Sequence, residues 1–295
     1  MDIKTLIRLF IAGLGNVPIN YCNYYYLHLK KFVFPPFLNI KKPRGFNEKI
    51  IYLKIYKRYV NAHNYADKIL VRDYVVAKIG ESYLIPLLGI YDLPEDIDFM
   101  TLPQSFVIKT NHASGQVIIC GSKRTLDIDK TRRTLKSWLS INYYKVGKEY
   151  QYDKIKPRIL IEEYLNYENE DGLKDYKIFC FDGVPKFIQV DIERHTNHRR
   201  NFYDLEWKKL PFQILYPSYN GEIIPPASLP KMIRVASKLA EGFVLSRIDL
   251  YCVGKRVYFG EITFHPEGGF GPISPRKYDR ILGELISLPR EVSVA

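Results

Sequence analysis

Two apolar runs, Asp175–Phe181 and Val184–Asp191, are separated only by Asp182-Gly183. A two-residue Asp-Gly link supplies the positive φ angles of a tight turn and matches the twist of paired strands, so it marks an antiparallel hairpin. The same alternation recurs at Arg247–Val253 and Val257–Phe264 around Gly254-Lys255-Arg256, and at Ser105–Thr110 and Gln116–Cys120 around a loop holding Ser114 and Gly115. Arg158–Tyr164 reads as a further strand. Helical spacing runs over Tyr65–Ile79, Asp127–Tyr144, Leu229–Gly242 and Pro275–Ile286, and residues 1–64 are helix-prone but broken by Pro35, Pro36 and Pro43. Strand pairs alternating with helices predict an α+β chain. The expected organisation is a helical N-terminal segment, 1–64, a first lobe, 65–160, and a second lobe, 161–289.

Composition narrows the class. With 46% hydrophobic and 26% charged residues, the 295-residue chain is neither disordered nor fibrous. Cys22, Cys120, Cys180 and Cys252 lie at least 60 residues apart, which removes zinc ribbons and dithiol motifs and points to a reducing, cytoplasmic compartment. No apolar run approaches the roughly 18 residues of a membrane span. Leu6, Leu9, Phe10 and Leu14 form a short stripe beside Lys4 and Arg8, suited either to packing on its own domain or to the inner face of an anionic membrane. The net charge of +12 comes with scattered basic pairs and no nucleic-acid reader motif, so an acidic or phosphorylated substrate explains it as well as anionic lipid does.

The last hairpin carries the most chemistry. Alternation puts Arg247 and Asp249 on one face, with Glu261 and Thr263 across from them. A three-residue loop at 254–256 pairs Val253 with Val257, which sets Asp249 opposite Glu261 and Arg247 opposite Thr263. Two opposed carboxylates repel. Either magnesium binds them, as hard oxygen donors suit, or Arg247 or a lysine neutralises them. Lys109 ends a strand before His112, Ser114 and Gly115, a setting for phosphate or for an ordinary strand-end lysine. Lys177 lies two residues from Asp175. Glu162, Glu163, Tyr164 and Leu165 end a strand where a cleft is expected. His195, His198, Arg199 and Arg200 cluster after Asp191; zinc lacks a third ligand, so recognition of an anion by His195, Arg199 and Arg200 is the stronger reading. His265 opens a His-Pro-Glu-Gly-Gly turn beside the Glu261 strand. No G-x-S-x-G, H-E-x-x-H, P-loop or dinucleotide-binding motif is present.

Taken in order, Phe46-Asn-Glu-Lys-Ile50, Ala66-Asp-Lys68 with Arg72, Tyr83–Gly89, Phe106–His112, Ile161–Tyr164, Asp175–Phe181, Thr196–Asp204, Arg247–Tyr251 and Phe259–Phe264 resemble the ATP-grasp fold. The similarity is to its teichuronopeptide-biosynthesis (TupA-like) branch of bacterial surface-polysaccharide proteins, over about residues 40–288. The resemblance implies two lobes with antiparallel sheets clasping ATP. Lys68 and Lys109 would contact phosphates, with His112, Ser114 and Gly115 in the covering loop and Lys177 also on the nucleotide. Glu162, Glu163, Tyr164 and Leu165 would meet adenine. Asp249, Glu261 and Thr263 would hold magnesium, two ions in all, and Arg247 would stand beside the reacting centre. His195, Arg199, Arg200 and His265 are the candidates for binding substrate. Many relatives carry an asparagine where this chain has Thr263, and a glycine-rich loop where it has only Gly115. The implied activity is an ATP-dependent carboxylate–amine ligase joining an amine, such as an amino acid, to an acidic glycan or its precursor. A sugar kinase, a glycosyltransferase and a non-enzymatic basic nucleic-acid binder are the alternatives.

Overall fold

A computed structural model of the protein describes residues 16–31, 33, 36–56, 59–165, 175–193 and 196–288. The stripe from Leu6 to Leu14, Pro35 and His195 lie outside these residues. Helices α1 (Asn16–Lys30) and α2 (Phe46–Ile55) come first. Next are α3 (Ala62–Ala66), α4 (Val71–Ile79), β1 (Leu87–Tyr91), β2 (Phe106–Thr110), β3 (Val117–Cys120), α5 (Ile128–Leu139), α6 (Tyr143–Gly147) and β4 (Ile159–Glu163). The remainder holds β5 (Asp175–Phe181), β6 (Val184–Ile192), β7 (Arg199–Tyr203), β8 (Gln213–Ile214), α7 (Leu229–Ala240), β9 (Leu245–Val253), β10 (Arg256–Thr263), β11 (Ile273–Ser274) and α8 (Lys277–Glu284). The chain divides into two compact units: Asn61–Leu173, and the stretches up to Val60 and from Lys174 onward together. The N-terminal helices therefore belong with the C-terminal stretch instead of standing apart. The expected boundary at residue 161 falls inside β4, which is fixed in the central unit by pairing with β1 and β2.

In the central unit the antiparallel sheet runs β1-β4-β2-β3. One face buries Phe106, Ile108 and Ile161 against Leu135 of α5. Two expected long helices break at polar caps. Asp67 Oδ1 accepts from the amides of Ile69 and Leu70, dividing α3 from α4. The Asn142 side chain accepts from the amide of Lys145 and starts α6 after α5 has ended. A cap satisfies amides that the first turn leaves orphaned, so an internal Asp or Asn competes with helix continuation.

In the other unit the sheet order is β10-β9-β5-β6-β7, again antiparallel throughout. Buried Met232, Val235, Ala236 and Leu239 lie at helical spacing on α7, which packs on β9, β5 and β6. Asp182 and Gly183 both have positive φ, 47° and 78°, as the turn between β5 and β6 requires. The β9–β10 hairpin departs from expectation in two places that cancel. Its turn is two residues long, so Arg256 pairs with Val253 and Val257 with Cys252. A bulge between Phe259 and Glu261 then shifts the ladder by one and restores Asp249 opposite Glu261 and Arg247 opposite Thr263. Gly260 makes room for the bulge: a Cβ there would lie 3.0 Å from the Asp249 carbonyl oxygen and 3.2 Å from the Tyr251 ring. Gly260→Ala is expected to destabilise the protein by about 1–3 kcal/mol through overpacking against a fixed ladder. Urea unfolding measures this; no change in midpoint would remove the bulge's steric basis.

Candidate active site

Each unit turns one sheet face to a helix and places charged side chains on the other, which in the larger sheet also carries Phe179 and Phe181 under Phe46 of α2. In the central unit Lys109 and Glu162 share that second face, because Val107 pairs with Glu162 and Lys109 with Leu160. Lys109 Nζ donates to Glu162 Oε2 at 2.6 Å, and Arg72 Nη1 to Glu162 Oε1 at 3.2 Å. Arg72 Nη2 is fixed on the Ile85 carbonyl at 3.0 Å. Two cations on one carboxylate leave a single positive charge in excess. Glu162, expected against adenine, is thus held between Arg72 and Lys109, while Glu163, its neighbour on the strand, is exposed. Tyr164 and Leu165 are half-buried.

The loop after Lys109 is tied at its root. Asn111, fully buried, donates to Asp67 Oδ2 at 2.9 Å and to the Lys156 carbonyl at 3.1 Å, and its Oδ1 accepts from the Arg158 amide at 2.7 Å. Lys68 donates its amide to the Asn111 carbonyl and its ammonium to the Ala113 carbonyl. Ser114 and Gly115 at the tip are exposed, with Gly115 at φ 76°. His112 differs from expectation: its side chain is buried, and burial pushes its imidazole below the ordinary histidine value, so it does not face the loop's outer side.

In the other unit β10, β9, β5, β6 and β7 present one row of polar side chains. Asp249 pairs with Glu261 on one side and Lys177 on the other, Lys177 with Gln189, and Asp191 with Arg200. Arg247 grips Asp249 with two bonds of 2.8 Å, Nε to Oδ1 and Nη2 to Oδ2. Lys177 Nζ donates to Asp249 Oδ2 at 2.6 Å and also to Asp175. Thr263 Oγ1 bridges Arg247 Nη2 and Glu261 Oε1, each at 3.2 Å. Burial opposes the charge on Arg247, but Asp249 and Glu261 outweigh it and hold the guanidinium above its ordinary value. Burial pushes the Asp249 carboxyl up, against the pull of Arg247 and Lys177.

Arg247 and Lys177 are therefore the neutralising partners that the sequence left open. They do not exhaust the carboxylates: two cations face Asp175, Asp249 and Glu261, leaving one negative charge. The Glu261 side chain is 36% exposed against 3% for Asp249. Among the described residues no three His, Cys, Asp or Glu side chains group closely enough to hold a metal. Two carboxylates and a hydroxyl suit a hard cation such as Mg²⁺, which completes its shell with water and phosphate oxygens. In this structure both Asp249 oxygens are taken by Arg247 and Lys177, so Glu261 and Thr263 are the accessible oxygen donors.

The expected anion pocket is rearranged. Arg199 and Arg200 are neighbours on β7 and so point to opposite faces. Arg200 is buried, with Nε on Asp191 Oδ1 at 2.6 Å and Nη1 on Glu267 Oε1 at 2.7 Å. Burial alone would raise the Asp191 carboxyl, yet Arg200 holds it well below the usual range. His198 joins Asp191 at 3.0 Å and stacks on Tyr216 with ring centroids 3.7 Å apart. With its charge shared by two carboxylates, Arg200 braces the sheet edge and is not a free anion receptor. Nor is His265 presented to solvent. Its ring faces Tyr59 at 5.9 Å, and burial together with Lys54 holds its imidazole well below the ordinary value. The turn that follows is pinned: Lys54 Nζ donates to the Gly268 carbonyl at 2.8 Å and sits 4.0 Å over the Phe270 ring. Arg72, Asp175, Asp191 and Glu267 were given no role from sequence. The signal for Asp175 and Asp191 is spacing of two along a strand, Asp175 to Lys177 and Gln189 to Asp191, whereas Arg72 on α4 and Glu267 in a turn carry none.

Two antiparallel sheets, each packed by a helix on one face and carrying charged side chains on the other, accord with the ATP-grasp fold. A family model described as TupA-like ATPgrasp matches residues 48–287, and the chain belongs to that family. No curated protein matches the chain. Among solved structures, a D-alanine–D-alanine ligase from Bacillus anthracis is 18% identical over 75% of this chain and 66% of its own, with TM-score 0.43. The Helicobacter pylori D-alanine–D-alanine ligase is 16% identical over 83% and 71%, with TM-score 0.41. ATP-grasp ligase PsnB with Mg and ADP is 10% identical over 77% and 58%, with TM-score 0.42. The chain spans 53% of the Bacillus anthracis ligase chain complexed with ATP.

The unequal burial of the two carboxylates has a measurable consequence. Asp249→Asn leaves Arg247 and Lys177 short of a buried counter-charge and is expected to cost about 3–5 kcal/mol. Glu261→Gln alters a rim charge and is expected to change stability by less than about 1 kcal/mol. Urea unfolding without Mg²⁺ compares them; equal losses would contradict the assignment.

Proposed function

We propose that this chain is an ATP-dependent carboxylate–amine ligase that forms an amide through an acyl phosphate. Its substrates are a uronic-acid carboxylate of a bacterial surface polysaccharide or precursor and an amine such as an amino acid. The observation that carries the reading is Arg247 clasped to Asp249 beside Glu261 and Thr263, in a chain matched by the TupA-like family over residues 48–287. In the first step a carboxylate oxygen attacks the γ-phosphorus of ATP, the bond to the bridging oxygen breaks, and ADP leaves. Lys68, Lys109 and the amides of Ser114 and Gly115 meet phosphate oxygens, aided by the spare positive charge of the Arg72–Glu162–Lys109 set. Asp249, Glu261 and Thr263 are the residues that would hold Mg²⁺, which would neutralise charge at the transferring phosphate. In the second step the amine nitrogen attacks the acyl carbon, phosphate leaves with the bonding electron pair, and the nitrogen loses its proton. Arg247 stabilises the oxyanion formed between attack and departure. Arg199, half-exposed and apart from the Arg200 brace, remains a candidate for the substrate carboxylate.

Hydroxylamine separates this from the kinase reading. With ATP, Mg²⁺ and an acidic glycan fragment, a ligase gives a hydroxamate when hydroxylamine replaces the amine. A kinase gives a phosphorylated sugar and no hydroxamate, and that result would overturn the proposal. Lys109→Met keeps the aliphatic length and removes a phosphate contact together with the Glu162 ion pair. It is expected to raise the KM for ATP about tenfold or more, in line with loss of a charge-assisted hydrogen bond. An unchanged KM would return Lys109 to a purely structural role.

A further inference from the structure

We infer that the exposed side of α1 and the chain following it form a docking surface for an anionic membrane. Residues 16–60 hold nine lysines and arginines against one acid, Glu48, and of these Lys54 is buried on the Gly268 carbonyl. Glu48 is occupied internally, accepting from the backbone amides of Asn39, Arg44 and Gly45. Lys30, Lys41 and Lys42 are exposed. Apolar surface runs among them: Tyr26 and Leu29 are each 62% exposed, Val33 39% and Phe37 79%. Tyr26 and Leu29 lie three residues apart and share one side of the helix. The opposite side buries Tyr24 and His28, and Tyr24 packs on Leu38, Ile40 and Ile51. Tyr21 Oη donates to the Leu38 carbonyl at 3.1 Å and Tyr25 Oη accepts from the Leu38 amide at 3.4 Å, which ties the Phe37 segment along α1.

Charge of one sign around apolar side chains selects the occupant. Anionic headgroups pair with the lysines while Leu29 and Phe37 enter the headgroup boundary. A nucleic acid would satisfy the lysines and leave the apolar stripe in water. No helix among the described residues is long and apolar enough to cross a membrane, so the contact is interfacial.

Co-sedimentation with vesicles tests this on the full chain. Vesicles of equal parts phosphatidylglycerol and phosphatidylcholine should pull the protein down, pure phosphatidylcholine should not, and added salt should release it. Lys41→Gln and Lys42→Gln should each weaken binding about fivefold. Leu29→Ser with Phe37→Ser should abolish it while thermal unfolding stays unchanged. Failure to bind the anionic vesicles, equal binding to neutral ones, or undiminished binding by the serine variant would overturn the proposal. So would a dimer in sedimentation equilibrium that the serine variant dissolves, since the face would then belong to a second copy.

Discussion

The acidic end of the larger sheet depends on one buried carboxylate, Asp249, held between Arg247 and Lys177. Removing two cations and a carboxylate from water costs several kcal/mol per ion, and their attraction recovers this only when the geometry is good. Here the bidentate grip of Arg247 and the second carboxylate on Lys177, from Asp175, meet that condition. Apolar side chains of equal volume would hold a sheet together as well or better. The row is therefore better explained by chemistry than by stability. Its arrangement leaves Glu261 exposed at the rim with Thr263 beside it, where a cation can reach hard oxygen donors.

The two units solve the same physical problem separately. An antiparallel sheet can bury one face and leave the other wet, and in each unit the buried face is supplied by an amphipathic helix, α5 or α7. The second face then carries polar side chains at alternate residues, and in the larger sheet it is partly covered, with Phe179 and Phe181 packed under Phe46 of α2. In the central unit the second face has an excess of positive charge, from Arg72 and Lys109 around Glu162. In the other it has an excess of negative charge, from Asp175, Asp249 and Glu261 around Lys177 and Arg247. One suits phosphate oxygens and the other a divalent cation, and the proposed ligase reaction uses both.

Strands, hairpins and the α+β class were legible because they rest on local rules: the Asp182-Gly183 turn, period-two alternation, and glycine after a helix. The pairing of Asp249 with Glu261 was also legible, though by a route the structure corrects, since the short turn and the Gly260 bulge offset each other. What sequence did not show is where each charge spends its hydrogen bonds. Arg199 and Arg200 read as one anion pocket because they are adjacent, yet adjacency in a strand places them on opposite faces. Glu162 and Lys109 are 53 residues apart, and only the β2–β4 register brings them to 2.6 Å. Burial of His112 and His265 was equally hidden, because a histidine in a loop looks the same whether it faces solvent or core.

The central claim is that a substrate carboxylate becomes an acyl phosphate before an amine displaces it, and oxygen transfer tests it directly. With a uronic-acid substrate carrying ¹⁸O in its carboxylate, ATP and an amine, the released inorganic phosphate should contain one ¹⁸O per amide formed. Turnover that yields inorganic phosphate free of the label, or phosphate bound to a sugar hydroxyl, would contradict it.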